Sequence, residues 1–364
     1  MIIALLVSFI FLILRFTVTL FNFLSNPKLT RVSKRYADKI SILIPARNEA
    51  EDILTLLESI HQQEYSNYEV LILDDNSFDN TYQVCADFVE DHPRFKIIKG
   101  EALPPDWLGK NYACYQLAQQ ATGRYLLFLD ADEKVSNGVI NSTIHRMQLR
   151  RLSLLSLFTN QEMRSLGENM VVPLMHFILL NLLPLRLVYL VKSASVSAAS
   201  GQFMLFDSQT YQEYQWHQLA KNKVVEDVEI MKLVKASGLN GEALLANGMI
   251  SCRMYKGYNE AINGFGKNFL AAFNYNIFGF MIYLLLIMGG PVVILMAANL
   301  NLIFIMTGLI ILTRIMISLS AGQKAWKNVI LHPVQMMSLL LIGITSIQKH
   351  LSKTTVWKGR KISV

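Results

Sequence analysis

Short apolar runs alternate with amphipathic patterns between residues 38 and 150, and this alternation limits the possible folds more than any other feature. Four runs have the length of buried strands, at residues 40–44, 70–73, 95–98 and 125–129. The segments between them repeat apolar residues at helical spacing, at residues 49–63, 81–89 and 111–121. Strands and helices that alternate in this way predict βαβ units. We therefore expect an α/β fold with a mostly parallel sheet flanked by helices.

Two aspartates stand directly after the fourth apolar run. Asp130 and Asp132 follow Leu129, with one alanine between them. Open α/β sheets bind ligands at the carboxyl ends of their strands, and carboxylate oxygens are the ligands that Mg²⁺ and Mn²⁺ prefer. The pattern predicts a divalent cation held against a diphosphate. An ordinary acidic turn is the alternative that these two residues alone leave open.

Polar clusters also follow the first and second runs, with the sequence PARNE at residues 45–49 and DDNS at residues 74–77. Asp74, Asn76 and Ser77 are residues that also favour a turn before a helix, so a structural role and a binding role both stay open for them. A turn does not need two consecutive aspartates. We therefore expect Asp75 to accept a hydrogen bond from a base N–H.

Two common nucleotide motifs are absent from the sequence. No Gly-x-Gly-x-x-Gly pattern follows the first run, and no Gly-Lys-Ser or Gly-Lys-Thr loop occurs. This disfavours a dinucleotide-dependent oxidoreductase and a P-loop nucleotidase.

Apolar residues make up 52% of the 364 residues, and many of them stand in long blocks. The first block, residues 1–24, is long enough to cross a bilayer and lacks the cleavage site of a signal peptide, which predicts an anchor helix at residues 1–25. Basic residues follow this block, and by the positive-inside bias they predict a cytoplasmic domain at residues 38–275.

Three further apolar blocks, at residues 277–298, 302–319 and 329–347, form a C-terminal part at residues 277–348, before a basic tail at residues 349–364. Lysines flank the third block on both sides, and both flanks favour the cytoplasm. Either the third block is re-entrant or interfacial, or another block does not cross. The expectation is a multi-pass protein of the plasma membrane.

The net charge of +7 is typical of a protein that lies against an anionic membrane surface. The basic residues stand beside apolar blocks without a nucleic-acid-reading motif, so we expect no nucleic acid partner. The three cysteines, Cys85, Cys114 and Cys252, are scattered, which fits a reducing compartment.

Four ordered motifs, at residues 44–49, 73–77, 129–132 and 225–227, resemble those of family 2 glycosyltransferases, which have the GT-A nucleotide-diphospho-sugar transferase fold. Segments at residues 105–114, 201–205, 252–255 and 357–360 resemble membrane-bound carotenoid glycosyltransferases of the glycosyl-4,4′-diaponeurosporenoate synthase and hydroxychlorobactene glucosyltransferase types. Processive members of family 2 carry Gln-x-x-Arg-Trp after the catalytic base. This chain has no such motif, which favours a single transfer to a lipid over polysaccharide synthesis.

The resemblance implies a role for each motif. The donor-binding residues that it implies are Pro45, Glu49, Asp75, Lys110, Asp130 and Arg253. The metal ligands that it implies for Mn²⁺ or Mg²⁺ are Asp132 and Asp130. Lys267 is a further candidate for the diphosphate, although it and Arg253 suit lipid head groups equally well.

Asp227 is the catalytic base that the resemblance implies, and a single base implies inversion at the anomeric carbon. The alternative is structural, because Glu226, Asp227 and Glu229 also suit the first turn of a helix. A lone His217 is typically a satisfied structural residue, although a position near the acceptor is the alternative. Trp107 is expected to cover a surface, either of the sheet or of a substrate.

The acceptor side is expected to be membrane. Pro173 and Pro184 interrupt an apolar stretch, which predicts short interfacial helices near residues 170–192 in place of one crossing. The resemblance thus implies an inverting, metal-dependent glycosyltransferase that moves a hexose, glucose from a UDP-sugar donor, onto a hydrophobic membrane acceptor. That acceptor is a carotenoid or another lipid, such as a diacylglycerol, a ceramide-like lipid or a polyprenyl phosphate.

Two alternatives come from other classes of protein. An inactive membrane scaffold that keeps the fold is disfavoured because Asp75, Asp130, Asp132 and Asp227 are all retained. A transporter is disfavoured because, in the predicted spans, only Arg314 stands out as an ionisable residue.

Overall fold

A computed structural model describes residues 1–352, 356–358 and 360–361. Parts of the predicted basic tail, residues 353–355, 359 and 362–364, lie outside the described residues, and so does the glycine of the motif at residues 357–360.

The described strands form a large sheet, a small sheet and a C-terminal strand pair. In chain order they are β1 (Ile40–Ala46), β2 (Tyr68–Asp74), β3 (Phe95–Lys99), β4 (Tyr125–Leu129), β5 (Glu133–Val135), β6 (Leu154–Phe158), β7 (Asn160–Gln161), β8 (Phe203–Asp207), β9 (Gly241–Leu245), β10 (Ile250–Cys252), β11 (Val356–Trp357) and β12 (Arg360–Lys361).

The described helices include long apolar ones near both ends of the chain. In chain order they are α1 (Ile2–Ser25), α2 (Ile53–His61), α3 (Thr81–Glu90), α4 (Gly109–Gln120), α5 (Val139–Arg150), α6 (Leu166–Val171), α7 (Leu174–Leu182), α8 (Leu187–Leu190), α9 (Ser208–Tyr214), α10 (Trp216–Leu219), α11 (Glu226–Ala236), α12 (Tyr258–Ala272), α13 (Ile277–Met296), α14 (Leu300–Ser320), α15 (Ala325–Ile330) and α16 (His332–Ser352).

The large sheet has the strand order β3-β2-β1-β4-β8-β6-β9. Strands β1 to β4 pair in parallel, as predicted, and β6 pairs in parallel with β9. Strand β8 is antiparallel to both β4 and β6 and joins the two parallel parts. The predicted α/β fold with a mostly parallel sheet is therefore confirmed.

Alternate residues of β1 pack on opposite faces of the large sheet. Ile42 and Ile44 lie in the core that contains Leu56 of α2, whereas Leu43 lies in the core that contains Leu117 of α4. A strand covered on both faces buries every side chain, which is why these strands are continuous apolar runs in the sequence.

The small sheet has the order β5-β10-β7. Its strand β5 begins at Glu133, directly after the two aspartates that follow β4 of the large sheet. Its antiparallel register places Cys252 of β10 directly opposite Glu133 of β5. This pairing brings Cys252 to the residues that follow β4.

Three helices in the described part of the chain, α1, α13 and α14, are long and apolar enough to cross a membrane. The third predicted C-terminal block forms α15 and α16 instead. Helix α16 lies against α12, where the Tyr258 and Ser338 hydroxyl groups are 3.2 Å apart and the Leu270 N–H donates to Ser346 Oγ over 3.0 Å.

Short helices α6, α7 and α8 occupy the stretch that the two prolines interrupt, and α7 packs on α1. Asn22 Nδ2 donates to the carbonyl groups of Leu180 and Leu183 over 2.9 and 2.8 Å. Helix α1 is therefore fixed to these short helices by polar contacts.

Candidate active site

The carboxyl ends of β1, β2 and β4 meet at one edge of the large sheet, because these strands are parallel neighbours. Pro45 on β1 lies opposite Leu73 on β2, so the PARNE and DDNS clusters are adjacent. The Asp75 N–H donates to the Ala46 carbonyl over 2.8 Å, and the Glu49 N–H donates to Thr81 Oγ1 over 2.8 Å. Tertiary contacts thus hold both predicted nucleotide-binding segments.

Asp227 lies at the start of α11 and is held by two backbone N–H groups. The Gly201 N–H donates to its Oδ2 atom and the Val228 N–H to its Oδ1 atom, each over 2.8 Å. This fixes the orientation of the carboxylate. An oriented carboxylate can accept a proton from an acceptor group that approaches it.

Lys110 forms ion pairs with Glu226, the residue before Asp227, and with Asp130, the residue after β4. Its Nζ atom lies 2.7 Å from Asp130 Oδ1 and 3.5 Å from Glu226 Oε1. Helix α4, which carries Lys110, therefore brings a positive charge between the predicted donor site and the predicted base.

The backbone of Gly201 lies against this cluster. A Cβ atom at this position would lie 3.1 Å from Lys110 Nζ, 3.2 Å from Glu226 Oε1 and 3.7 Å from Asp227 Oδ2. A side chain here would therefore crowd Lys110 and Glu226, whereas the distance to Asp227 is an ordinary contact, so the glycine leaves space around the first two groups.

The environment changes the acid–base properties of the cluster. Burial raises the pKa of the Glu226 carboxyl to about 7, although the Lys110 ammonium group opposes the shift. Burial also raises the pKa of Asp227, and the N–H of Val228 opposes this. Burial would lower the pKa of Lys110, but the carboxylates of Asp130 and Glu226 outweigh it and raise that pKa well above its usual range.

Asp132 lies beside a second acid and a thiol. The ligand atoms of Asp132, Glu133 and Cys252 all lie within 4.8 Å of one another, and Cys252 Sγ is 3.2 Å from Asp132 Oδ2. Both carboxylate oxygens of Glu133 are buried and have no hydrogen-bond partner among the described residues. A buried, unpartnered carboxylate next to another carboxylate and a thiol is a donor set that fits a divalent cation.

Of the two predicted metal ligands, Asp132 lies in this group and Asp130 is paired with Lys110. Burial raises the pKa of Asp132, and the nearby Asp130 carboxylate adds to that shift. Burial likewise raises the pKa of Glu133 well above its usual range, and Asp132 adds to the shift. A cation bound here would compensate this concentration of acids.

Glu49 and Asp75 are paired with cations from the end of the chain. Lys358 Nζ lies 2.8 Å from Glu49 Oε1, and Arg360 Nη1 lies 2.5 Å from Asp75 Oδ2. Burial raises the pKa of Glu49 to about 7, and the Lys358 ammonium group opposes this.

Three other predicted residues have contacts that are structural in character. Arg253 Nη2 donates to Oε1 of Glu168, a fully buried side chain, over 2.8 Å. The buried His217 is 2.6 Å from the Tyr211 hydroxyl group. The Trp107 ring lies 5.2 Å from the rings of both Tyr112 and Tyr115.

Several residues of this region were not singled out as ligands or charged partners from the sequence. They are Glu133, Gly201, Cys252, Lys358 and Arg360. All except Glu133 lie in segments that carried the family resemblance, and Glu133 directly follows the two aspartates, so position next to a motif was the available signal.

Residues 41–207 match the family described as "Glycosyl transferase family 2". The chain is similar to the "4,4'-diaponeurosporenoate glycosyltransferase" of Staphylococcus haemolyticus, with 28% identity over 240 residues that cover 63% of this chain and 60% of the relative. It is also similar to the "Beta-monoglucosyldiacylglycerol synthase" of a Nostoc species, with 30% identity over 115 residues that cover 31% of this chain and 24% of the relative. The chain thus matches less than two thirds of the length of either relative.

A solved structure of similar fold is the mannosyltransferase PcManGT from Pyrobaculum calidifontis, in complex with GDP-Man and Mn²⁺. The TM-score is 0.57 with 14% sequence identity, and the alignment covers 96% of this chain and 99% of that chain. At this identity the likeness concerns the fold.

Proposed function

Because residues 41–207 form a glycosyltransferase family 2 domain with the GT-A fold, we propose that this protein transfers a hexose from a nucleoside diphosphate sugar to a hydrophobic acceptor in the membrane. The proposed donor is UDP-glucose, and the reaction inverts the anomeric carbon. The orientation of Asp227 carries the proposal, because two backbone N–H groups hold its carboxylate beside Lys110, Glu226 and Gly201.

Asp227 acts as the general base. An acceptor hydroxyl group attacks the anomeric carbon, its proton passes to the Asp227 carboxylate, and the bond to the leaving diphosphate breaks on the opposite face. One displacement with one base gives inversion. A base in the correct position typically adds about 10²–10⁴-fold to the rate.

Lys110 and Asp130 orient the donor. The ammonium group of Lys110, fixed by Asp130 over 2.7 Å, supplies a positive charge for the diphosphate, and Asp130 lies on the sugar side. Pro45, Glu49 and Asp75, at the ends of β1 and β2, are proposed to line the nucleobase of the donor. Arg253 is assigned a weaker role, because it is already paired with Glu168.

Asp132, Glu133 and Cys252 would hold the divalent cation, Mn²⁺ or Mg²⁺. Their ligand atoms lie within 4.8 Å of one another, and the unpartnered carboxylate of Glu133 needs a positive partner. A bound cation supplies charge stabilisation for the leaving diphosphate. Asp130 remains close enough to contribute, as its effect on the pKa of Asp132 indicates.

The acceptor is proposed to carry a hydroxyl group. The carboxylates of Asp227, Glu226 and Asp130 make the site negative, so a hydroxyl acceptor meets a base that it needs, whereas an ionised carboxyl acceptor meets repulsion. The relatives are named for two acceptor types, a diaponeurosporenoate, whose carboxylate this repulsion disfavours, and a diacylglycerol lipid, which offers a hydroxyl group. The two candidates are therefore a carotenoid that carries a hydroxyl group and a diacylglycerol-type lipid.

The membrane supplies the acceptor and holds the enzyme. Helices α1, α13 and α14 are proposed to span the plasma membrane, and α6 to α8 with α12 and α16 to lie at its cytoplasmic interface. With three crossings, the domain and the C-terminal basic residues lie on the same side, which satisfies the positive-inside bias.

The test is the Asp227→Asn variant. Asparagine keeps the size of the side chain and removes the base, so we expect transfer to fall by about 10²–10⁴-fold while donor binding stays within a few-fold of wild type. Sugar transfer to lipid extract and calorimetric binding of UDP with Mn²⁺ measure the two properties.

Glu229→Gln is the matched control, because Glu229 lies in the same first turn of α11 and loses the same charge. Its transfer rate should stay close to wild type. Equal losses in both variants, or loss of UDP binding in Asp227→Asn alone, would contradict the assignment of Asp227 as the base.

A further inference from the structure

The C-terminal strands return to the predicted donor pocket. Strand β11 pairs antiparallel with β12, with Val356 opposite Lys361 and Trp357 opposite Arg360. We call residues 356–358 and 360–361 the C-terminal strap. The two strap cations whose contacts are described, Lys358 and Arg360, both reach carboxylates that we assign to the donor nucleotide.

Arg360 contacts Asp75 twice. Its Nη1 atom lies 2.5 Å from Asp75 Oδ2, and its Nη2 atom donates to the Asp75 carbonyl over 3.4 Å. The side chain of Asp75 is only 8% exposed, so this pair is shielded from solvent. The planar fork of a guanidinium group fixes the carboxylate that it binds. The other carboxylate oxygen, Oδ1, makes no hydrogen bond among the described residues and remains able to accept one.

Lys358 fixes the strap to the end of β1. Its Nζ atom donates to Glu49 Oε1 over 2.8 Å and to the Asn48 carbonyl over 3.2 Å. Arg47 Nε donates in return to the Lys358 carbonyl over 3.1 Å. The strap is therefore bound to β1 and β2 at the ends where the nucleotide is proposed to lie.

A third cation lies close to the strap. Lys267 of α12 is partly buried, and after burial itself the positive charges of Lys349 and Lys358 are what lower its pKa. Cations that repel one another in this way are compensated when an anion lies among them. A nucleoside diphosphate is such an anion. Without these cations, the carboxylates of Glu49 and Asp75 would repel its diphosphate.

We propose that the C-terminal strap is part of the donor site and binds the nucleoside diphosphate. Arg360 is a positioning residue that orients Asp75 towards the nucleobase of the donor, and Lys358 provides positive charge for the diphosphate. This inference rests on the proposed function, because it assigns the strap to the same donor pocket.

The experiment titrates the purified full-length protein with UDP, and separately with GDP, in the presence of Mn²⁺. The tighter nucleotide is then used for Arg360→Ala, Arg360→Lys and Lys358→Ala. A hydrogen bond to a charged group is worth enough that we expect Kd to rise about tenfold in Arg360→Ala, with part of the affinity restored in Arg360→Lys. In transfer assays KM for the donor should rise while kcat changes little, a split that a general loss of folding would not give.

A double-mutant cycle tests the positioning role. If Arg360 acts through Asp75, the effects of Arg360→Ala and Asp75→Asn on Kd should be less than additive. Lys96→Ala is the control, because it removes an exposed lysine from β3 with the same change in charge, and its Kd should equal that of wild type.

Three outcomes would decide the matter. An unchanged Kd in Arg360→Ala would overturn the inference, and so would tighter binding, which would mean that the strap competes with the donor. Failure of the wild-type protein to bind either nucleotide would instead contradict the proposed function itself.

Discussion

Asp227 has a carboxylate whose protonation state sets the rate in the proposed mechanism. Its motif was visible in the sequence, because the acids at residues 226 and 227 stand next to each other at a predicted helix start. The contacts that orient it were not, because the Gly201 N–H comes from the turn before β8, which is 26 residues away in the chain. Local motifs therefore identified the charged residue, and tertiary structure determined its partners.

The pH dependence of transfer follows from the buried acids. Asp227 must be ionised to accept a proton, and burial raises its pKa. Activity is thus present above that raised pKa, and kcat/KM should fall as the pH decreases through it. Replacing Glu226, whose own pKa is raised to about 7, by glutamine removes a neighbouring negative charge and should move the acidic limb to lower pH. A pH–rate profile of both proteins measures this. An acidic limb that does not move in Glu226→Gln would contradict the coupling.

The strands that hold the site differ in how well the sequence predicts them. The four apolar runs correspond to β1 to β4, because strands covered on both faces are short continuous apolar runs that can be recognised locally. The register of β5 against β10 joins segments far apart in the chain, so the proximity of Glu133 to Cys252 could not be read from sequence. Helix α2 begins at Ile53, later than the predicted residue 49, and the N–H of Glu49 bonds to Thr81 of the next unit.

Strand β10 brings a thiol to the proposed metal site, and this predicts an unusual metal preference. Thiolates favour softer cations, so Cd²⁺ should bind and give a thiolate-to-metal charge-transfer band in the ultraviolet spectrum. The Cys252→Ser variant should lose this band and keep binding of Mn²⁺ through the carboxylates. Cys85→Ser, which alters a cysteine buried in the core on one face of the large sheet, should keep it. A band that persists in Cys252→Ser would exclude Cys252 as a ligand.

The whole molecule joins a GT-A domain to a membrane part. Three apolar blocks were identified correctly as helices that can span a bilayer, at α1, α13 and α14. Whether the fourth block, residues 329–347, crosses the membrane stayed open, because apolar composition alone does not distinguish a crossing from a helix packed on a domain. The contacts of α16 with α12 are what favour the interfacial alternative.

The proposed topology places the α13–α14 connection outside the cell and the α14–α16 connection inside. All three natural cysteines are buried, so introduced cysteines can be labelled selectively. A membrane-impermeant maleimide should label Met296→Cys, at a side chain that is 74% exposed, in intact cells. It should label Lys324→Cys only after permeabilisation. Equal labelling of both positions in intact cells would contradict the three-crossing arrangement.

The most direct measurement of the central claim is transfer of labelled glucose from UDP-glucose into the organic extract of membranes that contain this protein. With Mn²⁺ or Mg²⁺ present, the account predicts label in a lipid product, loss of that label after chelation, and at least a hundredfold loss in Asp227→Asn, in line with the contribution of about 10²–10⁴-fold expected of a general base. Equal label in the organic extract from wild type and Asp227→Asn, or none with any UDP-sugar, would contradict it.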